Sequence, residues 1–335
     1  MKAAVFYGAG DLRIEERERP RAKEGEVLME VLACGICGTD HHIYHGQFEA
    51  KSPVVPGHEY TGRIVEVGKG VRDLAVGDRV AVDPNIHCGA CRFCRRGDIH
   101  LCKNLCALGV DIDGGFAELA AVPRKQCYLL PDSVSSLEGA LTEPLACCVH
   151  GIDLAEVGVG DRVAIIGGGL IGQMLAQLAR LRGAGYLILS DPIGARREMA
   201  LSLGADMVID PASSDAFQGT PLVEGADVVI EAVGSTETAA QAIEWAAPGG
   251  AIVWFGVAPP GDRVDVEPNL VFRKELTIRG SLVNPHTHDR ALALLASGQV
   301  DVAPLITRTI GLDALLQILS QDAGEETKTV VTPTG

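Results

Sequence analysis

The fold of this chain is decided by the stretch VAIIGGGLIG, residues 163–172, where an apolar run meets a glycine-rich turn. Apolar residues then recur at helical spacing, so the pattern indicates a strand, a tight turn and a helix. Gly167 permits the bend, Gly169 lets the backbone approach a pyrophosphate, and Gly172 lets the helix pack closely on the strand. Because a helix N-terminus attracts phosphate, the stretch predicts a dinucleotide site. We expect the cofactor to contact Gly167, Gly169, Leu170, Ile171 and Gly172.

The same alternation of apolar strand and helical spacer continues on both sides of this turn, from about residue 158 to residue 285. The six predicted strands are Arg162–Ile166, Tyr186–Ser190, Met207–Ile209, Asp227–Glu231, Ala251–Phe255 and Leu276–Arg279. Strands separated by helices are typical of an α/β fold with a doubly wound, parallel, six-stranded sheet.

The second strand ends at Asp191, nineteen residues after Gly172. A carboxylate at this place can bind both adenosine ribose hydroxyls and repel a 2'-phosphate, so the sequence favours NAD over NADP. Arg196 follows on the next helix, where it could lie over the adenine. It could equally be a solvated charge beside Arg197.

Outside this region the pattern is β-rich. Short alternating segments at Val27–Val31, Thr61–Val67 and Arg79–Val82 are separated by Gly and Pro turns. The tail has an amphipathic helix at Ala291–Leu295 and a strand at Val330–Val331, and we expect it to rejoin the first domain. The sequence thus predicts a discontinuous domain of residues 1–150 and 286–335, and a dinucleotide domain of residues 151–285.

Cysteine spacing predicts a structural metal site in a lobe at residues 86–104. Four thiolates from one compact segment are what a closed tetrahedral zinc requires, and the lobe is too small for a core of its own. Four unligated thiols at such density would be prone to oxidation, which disfavours a cluster without metal. The four cysteines are Cys88, Cys91, Cys94 and Cys102.

Composition excludes several classes of protein. The 335 residues carry a formal net charge of -15, which repels nucleic acid phosphates and anionic membranes. The apolar run at the N-terminus is too short for a signal peptide, and the run at 163–175 is too short for a membrane span. We therefore expect a cytoplasmic protein with neither a nucleic-acid nor a membrane partner.

A second set of metal-ligating residue types lies nearer the N-terminus. Cys37 stands in the segment CGICGTDHH, residues 34–42, and His58 and Glu59 follow in PGHEY, residues 56–60. Taken singly, each residue could be a packed or solvated side chain. Together with the four-cysteine lobe, Cys37 and the Gly57-His58-Glu59 triplet make the whole chain resemble the medium-chain zinc alcohol dehydrogenase superfamily.

The chain is most similar to the polyol (sorbitol-like) and threonine dehydrogenase branch, because Glu143-Pro144 stands where simple-alcohol dehydrogenases have a cysteine ligand. This resemblance implies a GroES-like β-rich catalytic domain, a Rossmann NAD-binding domain, and two Zn²⁺ ions per chain, one catalytic and one structural. It implies a catalytic zinc held by Cys37, His58 and Glu59, with Glu143 as an exchanging ligand or as a base hydrogen-bonded to the zinc-bound water.

The resemblance further implies roles for residues around the metal and the cofactor. Asp40 would orient His58, as metal-ligating histidines generally need a partner. Thr39 and His42 match the family's proton-relay positions. The alternative is that Thr39 is only a turn hydroxyl and His42 only a solvent-facing imidazole. The nicotinamide side would be contacted by Ala232, Val233 and Val257, at strand carboxyl ends.

The sequence therefore predicts an oxidoreductase that transfers hydride from a small secondary alcohol, of polyol type, to NAD⁺, and we expect a homo-oligomer, a homotetramer or a dimer. A threonine-type or simple-alcohol dehydrogenase remains open, because the residues after Glu143-Pro144 and at Val283-Asn284 match neither the threonine nor the animal sorbitol enzymes. A zinc-ribbon nucleic-acid binder and a catalytically inactive dinucleotide-binding protein are the alternatives from other classes.

Overall fold

The chain forms two compact units in a computed structural model that describes residues 1–212, 217–321, 324 and 326–334. The first unit comprises Met1–Ala146, Pro285–Gly298 and Val302–Gly335, and the second comprises Cys147–Asn284 and Gln299–Asp301. Within the predicted range 286–335, residues 322, 323, 325 and 335 lie outside the described residues.

The unit boundaries differ from the predicted ones in detail. The first falls after Ala146 rather than after residue 150, and residues Gln299–Asp301 of the predicted first domain belong to the second unit. The physical reason for the second difference is a pair of hydrogen bonds within that unit. The Gln177 side chain donates to the Asp301 carbonyl at 3.0 Å and accepts from the Asp301 backbone N–H at 2.7 Å.

The first unit is built mainly from short antiparallel strands. Its strands up to residue 129 are β1 (Lys2–Gly8), β2 (Asp11–Glu16), β3 (Glu26–Gly35), β4 (Glu59–Val67), β5 (Arg79–Val82), β6 (Asn85–Ile86), β7 (Cys106–Ala107), β8 (Leu119–Pro123) and β9 (Cys127–Leu129). Its helices up to the boundary are α1 (Gly38–Tyr44), α2 (Arg92–Arg95), α3 (Ser136–Gly139) and the start of α4 (Thr142–Ala155).

The second unit alternates strands and helices. Its strands are β10 (Arg162–Ile166), β11 (Tyr186–Ser190), β12 (Met207–Ile209), β13 (Ala226–Glu231), β14 (Ala246–Trp254) and β15 (Thr277–Gly280). Its helices are the end of α4, α5 (Leu170–Arg182), α6 (Gly194–Ser202), α7 (Thr236–Trp245) and α8 (Pro268–Lys274). The chain then returns to the first unit with α9 (His288–Ala296), β16 (Ile306–Ile310), α10 (Leu315–Leu319) and β17 (Lys328–Val331).

The six strands of the second unit form one parallel sheet in the order β12-β11-β10-β13-β14-β15. This is the order of a doubly wound Rossmann sheet, and it confirms the predicted fold class. Val163, Ala164 and Ile165 of the central strand are fully buried, because helices cover both faces of such a sheet. The carboxyl ends of β10, β11 and β13 therefore meet at one edge.

The main sheet of the first unit has seven strands, in the order β16-β17-β3-β4-β5-β9, with β8 also paired to β3. Its register matters for the site described below. Gly35 of β3 lies opposite Glu59 of β4 on one side and opposite Val330 of β17 on the other. The C-terminal strand is thereby brought next to the His58-Glu59 pair. Among the described residues, every helix is too short or too polar to cross a bilayer.

Candidate active site and cofactor site

Three potential metal ligands converge in the first unit, as the sequence analysis expected. Cys37 directly precedes α1, His58 directly precedes β4, and Glu59 is the first residue of that strand. One donor atom of each lies within 4.8 Å of the others. Ligand atoms around a tetrahedral zinc are about 3.5 Å apart, so a thiolate, an imidazole and a carboxylate at this spacing fit the ion with a small contraction.

Asp40 faces the imidazole of His58 from α1. Its Oδ2 accepts the backbone N–H of Cys37 at 2.8 Å, and its Oδ1 lies 3.7 Å from His58 Nδ1. Both of these facing atoms are buried, and among the described residues neither has a hydrogen-bond partner. Burial lowers the pKa of His58, but the charges of Asp40 and Cys37 outweigh that effect and raise the pKa well above its ordinary value. With Nδ1 turned toward Asp40, Nε2 is left for a metal.

The structure adds a residue that the sequence analysis missed. Lys328, at the start of β17, is buried and donates both to Glu59 Oε2 and to the carbonyl of Ile36, the latter at 2.7 Å. Burial lowers the pKa of Lys328, but the Glu59 carboxylate and Cys37 raise it above its ordinary value, so the amine stays charged. One oxygen of Glu59 is thus occupied by an ammonium group, and the other is available to a metal.

Gly35 makes this close approach possible. A Cβ atom added there would lie 2.2 Å from Glu59 Oε2 and 2.7 Å from Lys328 Cε. A side chain at this position would displace the Glu59 carboxylate and the end of Lys328. The glycine at the end of β3 therefore gives the ion pair its space.

The other predicted residues of this site lie nearby. Glu143 is buried in the first turn of α4, and its charge contributes to raising the pKa of His58, although it does not belong to the converging set of three. Thr39 Oγ1 is 3.7 Å from Cys37 Sγ, and His42 Nδ1 is 2.8 Å from Gln47 Oε1. Thr39 and His42 are three residues apart on α1, so they share one helix face.

The four cysteines of the lobe also converge. One Sγ from each of Cys88, Cys91, Cys94 and Cys102 lies within 4.8 Å of the others. Backbone N–H groups point at the sulfurs: that of Cys91 donates to Cys88 Sγ at 3.4 Å and that of Asn104 donates to Cys102 Sγ at 3.4 Å. Backbone N–H groups of Cys94 and Lys103 lower the pKa of Cys91 to about 6. The cysteines of the described residues form no disulfide, so none competes with a metal for these sulfurs.

In the second unit the glycine turn has the geometry that a dinucleotide needs. Gly167 has a φ of +101°, in the region that favours glycine, and a Cβ at Gly172 would lie 1.8 Å from the Gly167 carbonyl oxygen. A Cβ at Gly169 would meet nothing within 4 Å, so the backbone there is open to a ligand. Gly169 is also the N-cap of α5, whose N-terminal N–H groups can bind phosphate.

Asp191 lies beside this turn at the end of β11. Its Oδ2 accepts the backbone N–H of Gly168 and its Oδ1 accepts that of Ile193, both at 2.7 Å. Arg196 Nη1 lies 3.9 Å from Asp191 Oδ2. A carboxylate accepts about two hydrogen bonds at each oxygen, so one acceptor position remains at each for the two ribose hydroxyls.

The loop after β13 is held by a second residue that the sequence analysis did not single out. Glu231 is buried, and its Oε1 accepts the backbone N–H groups of Val233 at 2.7 Å and Gly234 at 2.8 Å, and the hydroxyl of Thr238 at 2.9 Å. Ala232 directly follows β13, and its backbone N–H donates a hydrogen bond to the Ile166 carbonyl. The side chains of Val233 and Val257 are 53% and 69% exposed, which leaves them free to contact a ligand.

Comparison with known proteins gives the same picture. Residues 23–132 match the family model for the alcohol dehydrogenase GroES-like domain, and residues 171–297 match the model for zinc-binding dehydrogenase. The chain is 35% identical to D-arabinitol dehydrogenase 1 of Uromyces fabae over 97% of this chain and 95% of that protein. It is 38% identical to the L-threonine 3-dehydrogenase of Pyrococcus horikoshii, over 92% and 89%.

Among solved structures, one from Sinorhizobium meliloti, assigned to the zinc-binding dehydrogenases and bound to NADP, superposes with a TM-score of 0.96. It is 42% identical, and the match covers 99% of each chain. The family models, these relatives and the two converging ligand sets together place the chain among enzymes that bind zinc and a nicotinamide dinucleotide. The chain therefore belongs to the medium-chain zinc-binding alcohol dehydrogenase superfamily, in the branch of the polyol and threonine dehydrogenases, and it is an oxidoreductase.

Proposed function

We propose that this enzyme oxidises a secondary alcohol of polyol or sugar-alcohol type to a ketone and transfers the hydride to NAD⁺. The observation that carries the proposal is the buried convergence of Cys37, His58 and Glu59, with the second carboxylate of Glu143 close to the same imidazole. One thiolate, one carboxylate and a neutral imidazole balance the charge of Zn²⁺ and leave a position for an alcohol oxygen.

Two zinc ions per chain form part of this proposal. Cys37, His58 and Glu59 would hold the catalytic ion, with Glu143 as a ligand that exchanges or as a base. The four lobe cysteines would hold a structural ion, because the Sγ atoms converge and backbone N–H groups favour the thiolates of Cys88 and Cys91. When bound, the zinc supplies the acidity that lowers the pKa of an alcohol hydroxyl, and the nicotinamide supplies a hydride acceptor.

The residues of this chain would then move the released proton. Gln47 Oε1 is an acceptor, so it directs the Nδ1–H of His42 toward itself and leaves Nε2 to take up a proton. Because His42 is partly exposed, it can pass that proton to water. Thr39, on the same face of α1 and beside Cys37, would be the hydroxyl that connects the alcohol to this imidazole.

Asp191 supports NAD⁺ as the cofactor. Its carboxylate is 4% exposed and keeps acceptor capacity for the ribose hydroxyls, whereas a 2'-phosphate would meet its negative charge. The Sinorhizobium meliloti protein was solved with NADP bound. The ratio of kcat/KM with NAD⁺ to kcat/KM with NADP⁺ is therefore the first quantity to measure for this enzyme. Arg196, 3.9 Å from the carboxylate, would lie at the adenosine side in either case.

The relatives support a secondary alcohol as the substrate class. D-Arabinitol dehydrogenase 1 takes its name from a polyol, and L-threonine 3-dehydrogenase from an amino acid whose 3-hydroxyl is also secondary. The second candidate function, a threonine 3-dehydrogenase, is favoured by the 38% identity to that enzyme. Against it, this chain has Ala146-Cys147 where the resemblance to the threonine enzymes would imply Gly-Asn.

An initial-rate panel tests the proposal. The purified enzyme would be assayed with NAD⁺ and with NADP⁺ against pentitols, hexitols, vicinal diols, simple secondary alcohols and L-threonine. We expect the highest kcat/KM with a polyol and NAD⁺. A kcat/KM that is highest for L-threonine would establish the second candidate, and activity on primary alcohols alone would contradict both.

A further inference from the structure

Gln173 is a polar residue in a place where the helical pattern calls for an apolar one. It lies in the first turn of α5, next to the buried Met174 and Leu175, and its side chain is fully buried. Its Nε2 donates to the carbonyl oxygens of Gly168 at 2.9 Å and Arg196 at 2.8 Å. Both of its amide hydrogens are therefore committed to backbone acceptors from two separate segments.

The orientation of this amide is fixed by chemistry. Two carbonyl oxygens face it, so the nitrogen has to point at them and the oxygen has to point away. Oε1 is buried and has no hydrogen-bond partner among the described residues. An orphaned buried acceptor is destabilising, and a methionine or leucine of the same volume would avoid that cost. The glutamine is thus a poor choice for packing alone, and its two donated bonds are the reason for its presence.

These two bonds join the parts of the dinucleotide site. Gly168 is held from both sides, since its N–H donates to Asp191 Oδ2 at 2.7 Å and its carbonyl accepts from Gln173. A Cβ at Gly168 would lie 2.8 Å from Leu189 Cδ2 and 3.0 Å from Asp191 Cβ, so the turn packs closely against the end of β11. Through the Arg196 carbonyl, Gln173 also ties down the first turn of α6, next to Ile193, whose N–H donates to Asp191 Oδ1.

We propose that Gln173 is a positioning residue for the cofactor: it sets the distance between the pyrophosphate-binding turn and the adenosine-binding segment around Asp191 and Arg196. This inference rests on the dinucleotide site of the proposed function. Because both amide hydrogens of Gln173 are donated to backbone carbonyls, it would act on the cofactor through the backbone of Gly168 and Arg196. Its loss should weaken the binding of the ADP-ribose half and leave the chemistry of the alcohol unchanged.

Gln177 provides a matched control one turn further along α5. It is also a buried glutamine with two hydrogen bonds to a distant backbone, but both go to Asp301 and none to the cofactor segments. Gln173→Met and Gln177→Met therefore each remove two side-chain-to-backbone hydrogen bonds from the same helix. Both should lower the melting temperature, and only the first should change cofactor binding.

The test measures the Kd of NADH by fluorescence titration and the inhibition constant of ADP-ribose, in the parent and both variants. For Gln173→Met we expect both constants to rise about tenfold, equivalent to about 1.4 kcal/mol. The KM for NAD⁺ should rise by the same factor while kcat falls less than twofold. In Gln177→Met each constant should stay within twofold of the parent. If Gln173→Met does not fold, Gln173→Asn, which can reach only one of the two carbonyls, should raise the constants about threefold.

Unchanged constants in the Gln173 variants, or an equal rise in Gln177→Met, would overturn the inference while the proposed function stands. A parent that binds neither NADH nor ADP-ribose would overturn the proposed function and this inference with it. A fall in kcat without a change in KM for NAD⁺ would also overturn the positioning role, because it would place Gln173 in the chemical step.

Discussion

Replacing Lys328 with methionine removes the cation that compensates the buried Glu59 carboxylate. The two side chains form an ion pair in which both are almost fully buried, and Lys328 also holds the Ile36 carbonyl. Breaking such a pair from one side typically costs 3–5 kcal/mol, roughly, because the remaining charge is left unpaired in a poorly solvated place. At roughly 2–4 °C for each kcal/mol in a domain of this size, the melting temperature of the zinc-free protein should fall by roughly 6–20 °C.

The assay is thermal unfolding after removal of zinc with a chelator, so that the loss of metal is common to all variants. A surface ion pair gives the matched control: Lys2 and Asp313 are 2.6 Å apart but exposed, and Lys2→Met should change stability by less than about 1 kcal/mol. The double variant Glu59→Gln with Lys328→Met removes both charges and should recover most of the loss.

Two results would refute this reasoning about the ion pair. In the first, zinc-free Lys328→Met melts within about 2 °C of the parent, as a surface variant would. In the second, the double variant is as unstable as the two single losses added together. Either outcome would mean that Lys328 does not stabilise the negative charge of the Glu59 carboxylate in the folded protein.

Three further predictions concern the cofactor and the metals. Asp191→Ala should narrow the preference for NAD⁺ over NADP⁺ by roughly tenfold or more, since charge-assisted hydrogen bonds to ribose are lost; equal kcat/KM with both cofactors in the parent would contradict the role of Asp191. Cys91→Ser should lose about one equivalent of zinc and lower the melting temperature, whereas Cys106→Ser, outside the cluster, should keep its zinc; unchanged metal in Cys91→Ser would rule out the lobe site. Glu143→Gln should keep two zinc ions but slow turnover, and Glu59→Ala should weaken the catalytic site; metal analysis showing the opposite pattern would exchange the two assignments.

Several features of the fold follow from local sequence because their geometry is local. Residues 163–172 encode a strand, a turn and a helix through apolar spacing and three glycines, and all six predicted strands of the Rossmann sheet are present with ends shifted by a few residues. The four cysteines are close in sequence, so their spacing alone brings the sulfurs together around one point. The cytoplasmic location and the homo-oligomer stay predictions.

Lys328 and Gln173, which sequence reasoning missed, join separate segments, whereas Glu231 holds the loop that follows its own strand. Gln173 and Glu231 each carried a weak signal in the sequence. Gln173 is a polar residue on an apolar helix face, and Glu231 is a carboxylate at the end of a buried strand. The bond from Gln173 to Arg196, however, depends on where the backbone of α6 passes. Residues Gln299–Asp301 belong to the second unit for the same reason, since Gln177 binds Asp301 from 124 residues away.

The sequence by itself predicted a structural zinc lobe and a dinucleotide turn, because each motif needs only neighbours in the chain, and its resemblance to the medium-chain dehydrogenases implied the ligands of a catalytic zinc. The tertiary structure decided how Glu59 is held. Lys328 lies 269 residues away along the chain, and only the pairing of β17 with β3, and of β3 with β4, brings its amine to the carboxylate. A strand register is set by the packing of a whole sheet face, so no local pattern can specify which two buried charged side chains will lie next to each other.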